Sequence, residues 1–200
     1  MSPSSDPDHN GEADQLEPIE RLAVAYAPER VRNAWSSLLA FDHRLSDAAR
    51  EGRDPIMVQL RLAWWRDRMA EPADRWPKGE PLLAALAPWD GERAALAAIV
   101  DGWEARNVGS DGGAALREAR IAALLALARI GGETDRAAFD AIARAGAEWL
   151  DRAGPAAGPA PRLPRTMRPL VILRGMALLP DHASPALRFL RVLRLGLLGR

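Results

Sequence analysis

Cysteine is absent from the 200 residues, and lysine occurs once, at Lys78. The absence of cysteine excludes disulfide bonds, zinc sites with thiolate ligands and a cysteine nucleophile. It is also compatible with a reducing compartment, so we expect a cytoplasmic location.

An excess of one charge and long apolar runs are missing as well. The chain has 27 acidic and 27 basic residues, so no overall field points to nucleic acid as a partner. No uninterrupted apolar run approaches the length that spans a bilayer, which leaves at most a peripheral membrane contact.

The first 17 residues contain neither a basic residue nor an apolar segment. A signal peptide needs both, so this segment is not one. Its polar and acidic composition predicts a disordered leader over residues 1–17, followed by one helical domain over residues 18–200.

In the remaining chain, alanine and leucine dominate, and apolar residues recur every three to four positions. This pattern predicts an all-α helical bundle. Residues 153–169 contain five prolines and predict an extended connector. We expect Asp90, Thr134 and Ser184 to cap three of the helices. Helices are predicted to begin near residues 18, 28, 55, 82, 90, 114, 134, 168 and 184.

The stretch VQLRLAWWRDRM sets two adjacent tryptophans among arginines. On a helical wheel, its inward face is predicted to carry Val58, Leu62, Trp65 and Met69. Trp64 falls about 100° away, on a border that it shares with Arg61 and Arg68. These arginines can lay their stems over aromatic surface and keep their heads in water. Alternatively, one of them points into a cavity and binds an anion such as a diphosphate.

A second predicted helix carries a carboxylate, Asp42, in the middle of its apolar stripe. The stripe consists of Val31, Trp35, Leu38, Leu45 and Ala49. A buried carboxylate must be paired, hydrogen-bonded or protonated, unless a break in the helix exposes it to solvent. An internal ion pair and an altered pocket contact are the two buried alternatives. Because the connection to the next helix is short, we predict that Asp42 pairs with Arg61 or Arg68.

Several longer stretches follow one another in a characteristic order: LLAFDHRLSDAARE, PIMVQLRLAWWRDRM, PLLAALA, DGWE, RLP with RPLVIL, and LRLGLLGR. In this order they resemble the squalene/phytoene synthase family, over most of residues 20–200. The resemblance implies an isoprenoid-synthase fold with a central cavity walled by helices. Active members of the family condense two prenyl diphosphates, and Mg²⁺ held by two aspartate-rich motifs ionises the diphosphate. Such a site requires hard oxygen ligands.

The first of these motifs is altered in this chain. Aligned without gaps, the two positions that would grip the metal become Ser46 and Arg50, and Asp47 is predicted to face outward. Two carboxylates four residues apart share one helix face and can hold one metal cluster. A hydroxyl and a guanidinium cannot, so we expect no metal site and no catalytic residue here.

The second motif has no counterpart, because the spacing Asp-x-x-x-Asp does not occur in the sequence. The nearest acidic candidates are Asp135, Asp140, Glu148 and Asp151. We therefore expect a shortened bundle without a cofactor. Mg²⁺ would be needed only if the chain were an active transferase.

Six residues make up the candidate pocket: Asp42, Ser46, Arg50, Arg61, Trp65 and Arg68. The three histidines, His9, His43 and His182, lie far apart in the sequence. Their spacing does not predict a zinc site or a catalytic triad.

The C-terminal stretch PALRFLRVLRLGLLGR is basic and amphipathic, with three arginines spaced three apart. We expect its leucines to pack onto the bundle and its arginines to be solvated. The alternative is a helix that lies on a membrane surface.

Together these features predict a divergent, non-catalytic relative of the family, a pseudoenzyme that binds a prenyl lipid, a prenyl diphosphate or a partner protein. A mitochondrial complex I assembly factor of the family is the precedent for the partner-binding role. The alternative is an active prenyl transferase of isoprenoid or carotenoid biosynthesis, in which Arg50, Arg61 or Arg68 replaces metal charge. A third reading is a structural scaffold with a filled cavity. A hollow, polar centre would favour ligand binding, and a packed centre would favour the scaffold.

Overall fold

The structure is a computed structural model that describes residues 16–109, 111–152, 161–180 and 182–199. These residues form α-helices joined by turns and short 3₁₀ segments, and no β-strand occurs among them. The predicted all-α fold is confirmed. The helices are α1 (Pro18–Ala25), α2 (Glu29–Ala48), α3 (Pro55–Ala70), α4 (Pro81–Ala85), α5 (Arg93–Val108), α6 (Ala114–Ile130), α7 (Arg136–Asp151), α8 (Arg168–Ala177) and α9 (Pro185–Leu198).

Helix α2 lies at the centre of the bundle, in contact with α1, α3, α4, α5 and α6. Its predicted stripe is confirmed as buried at Val31, Trp35, Leu38 and Leu45. Phe41, which lies off that stripe, is also fully buried. A helix surrounded by neighbours buries more than one face, whereas a surface helix buries one stripe.

Helix α3 buries the face that its periodicity predicts, namely Val58, Leu62, Trp65 and Met69. Trp65 is 4% exposed and meets the ring of Phe41 edge-on, with 5.2 Å between ring centroids. Trp64 is 39% exposed. The difference between the two adjacent tryptophans is therefore confirmed.

Helix α5 takes part in the two most extensive helix contacts of the bundle, with α6 and with α3. Gly102 permits the close approach of α5 to α6, because a Cβ atom there would lie 2.6 Å from the Cα atom of Leu116. The contact between α3 and α5 is larger than the one between α3 and α2. This preference decides which side chains of α3 can reach the bundle centre.

Two tryptophans join segments that are distant in sequence. The indole Nε1 of Trp35 donates to the carbonyl of Thr166 at 2.9 Å, and that of Trp89 donates to the carbonyl of Ala34 at 3.2 Å. The segment that contains Thr166 and the following helix α8 thus pack against the core.

Parts of the predicted leader and connector lie outside the described residues, namely 1–15, which include His9, and 153–160. At the end of the leader, Leu16 is buried and Glu17 closes a capping box at the start of α1. At the end of the connector, a 3₁₀ turn, Arg165–Met167, leads directly into α8. The extended conformation predicted up to residue 169 is therefore wrong over these last residues.

Two of the three predicted helix caps are wrong. Asp90 instead accepts a hydrogen bond from the backbone N–H of Ala73 at 2.7 Å, and α5 begins at Arg93. The cap of α7 is Asp135, the neighbour of Thr134, because its carboxylate accepts from two backbone N–H groups of the first turn. Ser184 caps α9 as predicted.

The prediction for the C-terminal helix α9 is also wrong, because most of its large apolar side chains face solvent. The exposed ones are Leu187, Phe189, Leu190, Leu197 and Leu198. No helix in the described part of the chain has the length and apolar character needed to cross a membrane.

Candidate functional site

Asp42 is held in a partly buried position by groups from two other helices. Its Oδ1 accepts a hydrogen bond from the indole Nε1 of Trp103 on α5 at 2.9 Å. Its Oδ2 lies 2.8 Å from Nη2 of Arg120 on α6, and the Arg120 Nε donates to Oδ1 at 3.2 Å. Asp42 is therefore the acceptor that joins α2, α5 and α6.

The same contacts place cations around Trp103. The guanidinium carbon atoms of Arg120 and Arg106 each lie 5.4 Å from the centroid of its ring. At this distance a guanidinium is attracted to the negative face of the ring. Trp103 is only 7% exposed, and together with Arg106 it lines a surface cleft.

The prediction that Asp42 pairs with Arg61 or Arg68 is wrong, because its arginine partner is Arg120. Arg61 is exposed, and Arg68 pairs with Glu71 at 3.4 Å. Because α3 packs mainly on α5, the border that carries these two arginines does not reach Asp42. Helix α6 covers that side of α2 instead and supplies Arg120.

Two other contacts show that arginines of α3 bind neighbouring side chains of the fold. The guanidinium carbon of Arg68 lies 5.9 Å from the ring centroid of Trp64, so the charged head of Arg68, rather than its stem alone, contacts the aromatic surface. Arg66 pairs with Asp101 at 2.8 Å and also with Glu104. The two acids of the DGWE stretch thus bind α3 to α5, while the tryptophan between them points inward to Asp42.

The space beside Asp42 at the bundle centre is almost filled. A cavity of about 20 Å³ remains there, and its lining includes Trp35, Leu38, Asp42, Ile99, Arg120 and Trp149. A volume of this size has room for about one water molecule. Pockets for small-molecule ligands generally measure about 300–1,000 Å³.

A larger, open cleft of about 920 Å³ lies at the C-terminal end of α2, against the end of α5. Its lining includes His43, Ser46, Asp47, Arg50, Trp103 and Arg106. Of the six candidate pocket residues, the structure therefore brings Ser46 and Arg50 together in this cleft and places Asp42 behind Trp103. Trp65 lies in the core, and neither Arg61 nor Arg68 lines the cleft.

The residues at the first altered motif do not fit a Mg²⁺ site. Helix α2 ends at Ala48, so Arg50 lies beyond it, with 70% of its side chain exposed. Arg50 and Arg53 both pair with Asp47, at 2.7 Å and 2.9 Å. The outward position of Asp47 is as predicted, and its carboxylate already has two cationic partners in place of a metal.

Three of the four acidic candidates for a second motif also serve the fold, and the fourth, Asp140, is exposed. Glu148 is buried between Arg144, at 3.1 Å, and Arg174 of α8. Asp151 pairs with Arg117 at 2.5 Å, and Asp135 is the cap of α7. Across the described residues, no three His, Asp or Glu side chains cluster so that they could hold a metal ion.

His43 lines the cleft on one side and contacts α1 on the other. Its Nε2 lies 2.7 Å from the Glu20 carboxylate, which also accepts from the backbone N–H of Glu17. The hydrogen bond to Glu20 raises the pKa of His43 above its ordinary value, against the lowering effect of burial. The negative charges of Glu20, Asp42 and Glu17 raise this pKa further.

Sequence reasoning missed Trp103, Arg106, Arg120 and His43 as members of this region. A signal existed for Arg120, because it follows Leu116 by four positions and precedes Ala123 by three, both of which are buried. A cation on an apolar stripe needs a buried anion. Asp42 is the anion with the same anomaly on α2.

The fold and site define an all-α bundle with a packed, charge-paired centre and a polar cleft at one end. Residues 21–107 match the model of the squalene/phytoene synthase family. The match extends from α1 to the end of α5 and contains the altered first motif, the paired tryptophans and the DGWE stretch. The family resemblance is confirmed for this segment, and the all-α architecture is consistent with an isoprenoid-synthase-like fold. No curated protein and no solved structure matches the chain.

Proposed function

We propose that the chain is a non-catalytic helical scaffold that binds a partner protein. The observation that carries this proposal is the filled centre, where about 20 Å³ is free beside Asp42. This central cavity is far smaller than the volume that a small-molecule pocket needs. The partly buried Asp42–Arg120 pair lines this cavity and is satisfied without a ligand.

The outer face of α3 is the surface that we assign to the partner. Ile56, Leu60 and Trp64 are spaced four residues apart and are 69%, 59% and 39% exposed. Beside them is a shallow depression of about 380 Å³ that Pro55 and Ala63 help to line. Contiguous apolar surface of this kind on a soluble domain is typical of protein-interaction sites.

The spacing on α3 favours an amphipathic helix as the partner element. Residues that repeat every four positions form a ridge, and such ridges pack into the grooves of a second helix. Trp64 is a suitable anchor, because tryptophan and arginine contribute most often to binding energy at protein interfaces. The exposed Arg61 and Asp67 next to this ridge supply charges of both signs at its border.

A photo-reactive amino acid at Leu60 tests this surface in cells, with the same group at the exposed Glu118 of α6 as the control. We expect one partner to be crosslinked from position 60 only, through a helical segment of that partner. The purified partner should then bind the chain, and Leu60→Glu should weaken binding at least about tenfold. Equal crosslinking from both positions, or unchanged affinity of Leu60→Glu, would contradict the proposal.

The non-catalytic part of the proposal has a separate test. Purified protein supplied with farnesyl or geranylgeranyl diphosphate and with Mg²⁺ or Mn²⁺ should release no pyrophosphate above the rate without protein. We expect this because Ser46 and Arg50 stand where two metal-binding carboxylates would be required. Sustained turnover that depends on the metal would overturn it.

The cleft at the end of α2 supports a second candidate function, the binding of a prenyl diphosphate without chemistry. Its lining includes the guanidinium groups of Arg44, Arg50 and Arg106, which are suitable donors to a diphosphate. Calorimetric titration with farnesyl diphosphate, with and without Mg²⁺, tests this. Binding that is weakened by Arg106→Gln but not by Arg162→Gln, at an exposed position outside the cleft, would support it.

A further inference from the structure

Helix α9 has an unusual division of its side chains between the bundle and solvent. It buries Val192, Leu195 and Gly196, which form a narrow inner face. Five large apolar residues lie outside this face, with exposed fractions between 49% and 70%: Leu187, Phe189, Leu190, Leu197 and Leu198. On a helical wheel these residues spread over about half of the circumference.

Close packing fixes this orientation of α9. A Cβ atom on Gly196 would collide with the ring of Tyr26, and a Cβ atom on Gly175 of α8 would collide with Leu195. The inner face is therefore set by two glycines that let the helices approach. The leucines outside it cannot turn inward without losing these contacts.

The charges on α9 all have the same sign. Between Pro185 and Leu198 the helix contains three arginines and no acidic residue. Arg194 is exposed and falls on the wheel between Leu190 and Leu187, and Arg191 lies at the border of the apolar face. By contrast, the apolar ridge of α3 is bordered by both Arg61 and Asp67.

We propose that the outer face of α9 docks on an anionic lipid surface. A helix with leucine and phenylalanine on one face and arginine as its only charged residue can lie in the plane of the membrane interface. Arg194 on the outer face and Arg191 at its border would reach the phosphate and headgroup region, where each adds attraction to anionic lipid. The long axis of the 14-residue helix measures about 21 Å, so it can rest on the surface along its whole length.

Co-sedimentation of the full chain with lipid vesicles tests this proposal. We expect binding to vesicles of phosphatidylcholine mixed with phosphatidylglycerol, weaker binding to phosphatidylcholine alone, and a decrease as salt is raised. Leu190→Glu combined with Leu197→Glu should lower the binding constant at least about tenfold, since each change removes apolar contact and adds a like charge. Arg194→Gln should lower it about fivefold.

The matched control is Val108→Glu combined with Ala137→Glu, two exposed apolar positions outside α9 and outside the α3 surface, and it should leave vesicle binding unchanged. Circular dichroism and thermal unfolding of each variant establish that it is folded. Absent binding, equal binding to neutral vesicles, or unchanged binding of the α9 double variant would each overturn the proposal. So would a dimer in solution that the α9 double variant dissociates, because a second copy of the chain would then cover this face.

Discussion

Asp42 and Asp47 lie five residues apart near the C-terminal end of α2, yet their carboxylates differ in exposure and in the origin of their partners. Asp42 has a 25% exposed side chain and is held by Trp103 and Arg120, which lie 61 and 78 residues away. Asp47 is 47% exposed and pairs with Arg50, three residues further on. The inner pair depends on the assembled bundle, whereas the outer pair forms within one connection.

This comparison separates two roles that the same residue types can have. In the packed centre, charged groups join helices and are already satisfied, so they have little capacity left for a ligand. At the end of α2, charged groups face a cleft and keep much of their contact with water. A small ligand is therefore expected to bind at the outer region, and fold stability is expected to depend on the inner one.

The largest effect is expected from removing a central tryptophan. Trp65→Ala should lower the free energy of unfolding by about 3–5 kcal/mol, because it removes a buried ring and leaves a cavity. Trp64→Ala should cost about 1 kcal/mol, since Trp64 loses mainly its edge contact with Trp65 and its contact with Arg68. Urea unfolding followed by circular dichroism measures both. Equal losses would mean that the centre does not extend to α3.

The next largest effect is expected at the two aspartates themselves. Asp42→Asn should lower the free energy of unfolding by about 2 kcal/mol, because Arg120 loses a charged acceptor in a partly buried position. Asp47→Asn should change it by less than about 0.5 kcal/mol, because exposed ion pairs are screened by water. The same urea titrations measure both, and an equal effect of the two changes would remove the distinction between the regions.

A double-mutant cycle sharpens this prediction. Asp42→Asn combined with Arg120→Met should cost less than the sum of the single changes, with a coupling of at least about 1 kcal/mol. Asp42→Asn combined with Arg61→Met should be additive. Coupling to Arg61 and not to Arg120 would restore the pairing that the sequence alone suggested.

The sequence predicts the parts of this comparison that depend on one helix. Helical periodicity places Trp65 inside and Trp64 outside, because the inward face of a helix that packs on one side follows from spacing alone. The same reasoning places Asp42 on the buried stripe of α2 and Asp47 outside it.

The sequence does not identify the groups that come from other helices. The pairing of Asp42 with Arg120 requires α6 to cover α2 and α3 to prefer α5, and neither contact is encoded in the spacing within α2. The buried face of α9 could not be predicted from the sequence for a related reason. Apolar residues lie on both faces of α9, so their spacing does not identify the buried face. The close contact between Gly196 and Tyr26 determines which face is buried.

The smallest effect is expected at His43, which lies between the two regions. Because the bond to Glu20 raises the pKa of His43, the folded chain binds this proton more tightly than the unfolded chain does. The stabilisation is fully present below the unfolded pKa of about 6.5, and it is lost as the pH rises through the higher folded value. The stability difference between the natural chain and His43→Gln should therefore shrink from pH 6 to pH 9, by less than the Asp42→Asn effect. Urea unfolding at each pH measures it, with the exposed His182→Gln as the control. A difference that stays constant or grows with pH would show that the proton on His43 does not stabilise the fold. His43 would then belong with the exposed charges around Asp47, which contribute little to stability.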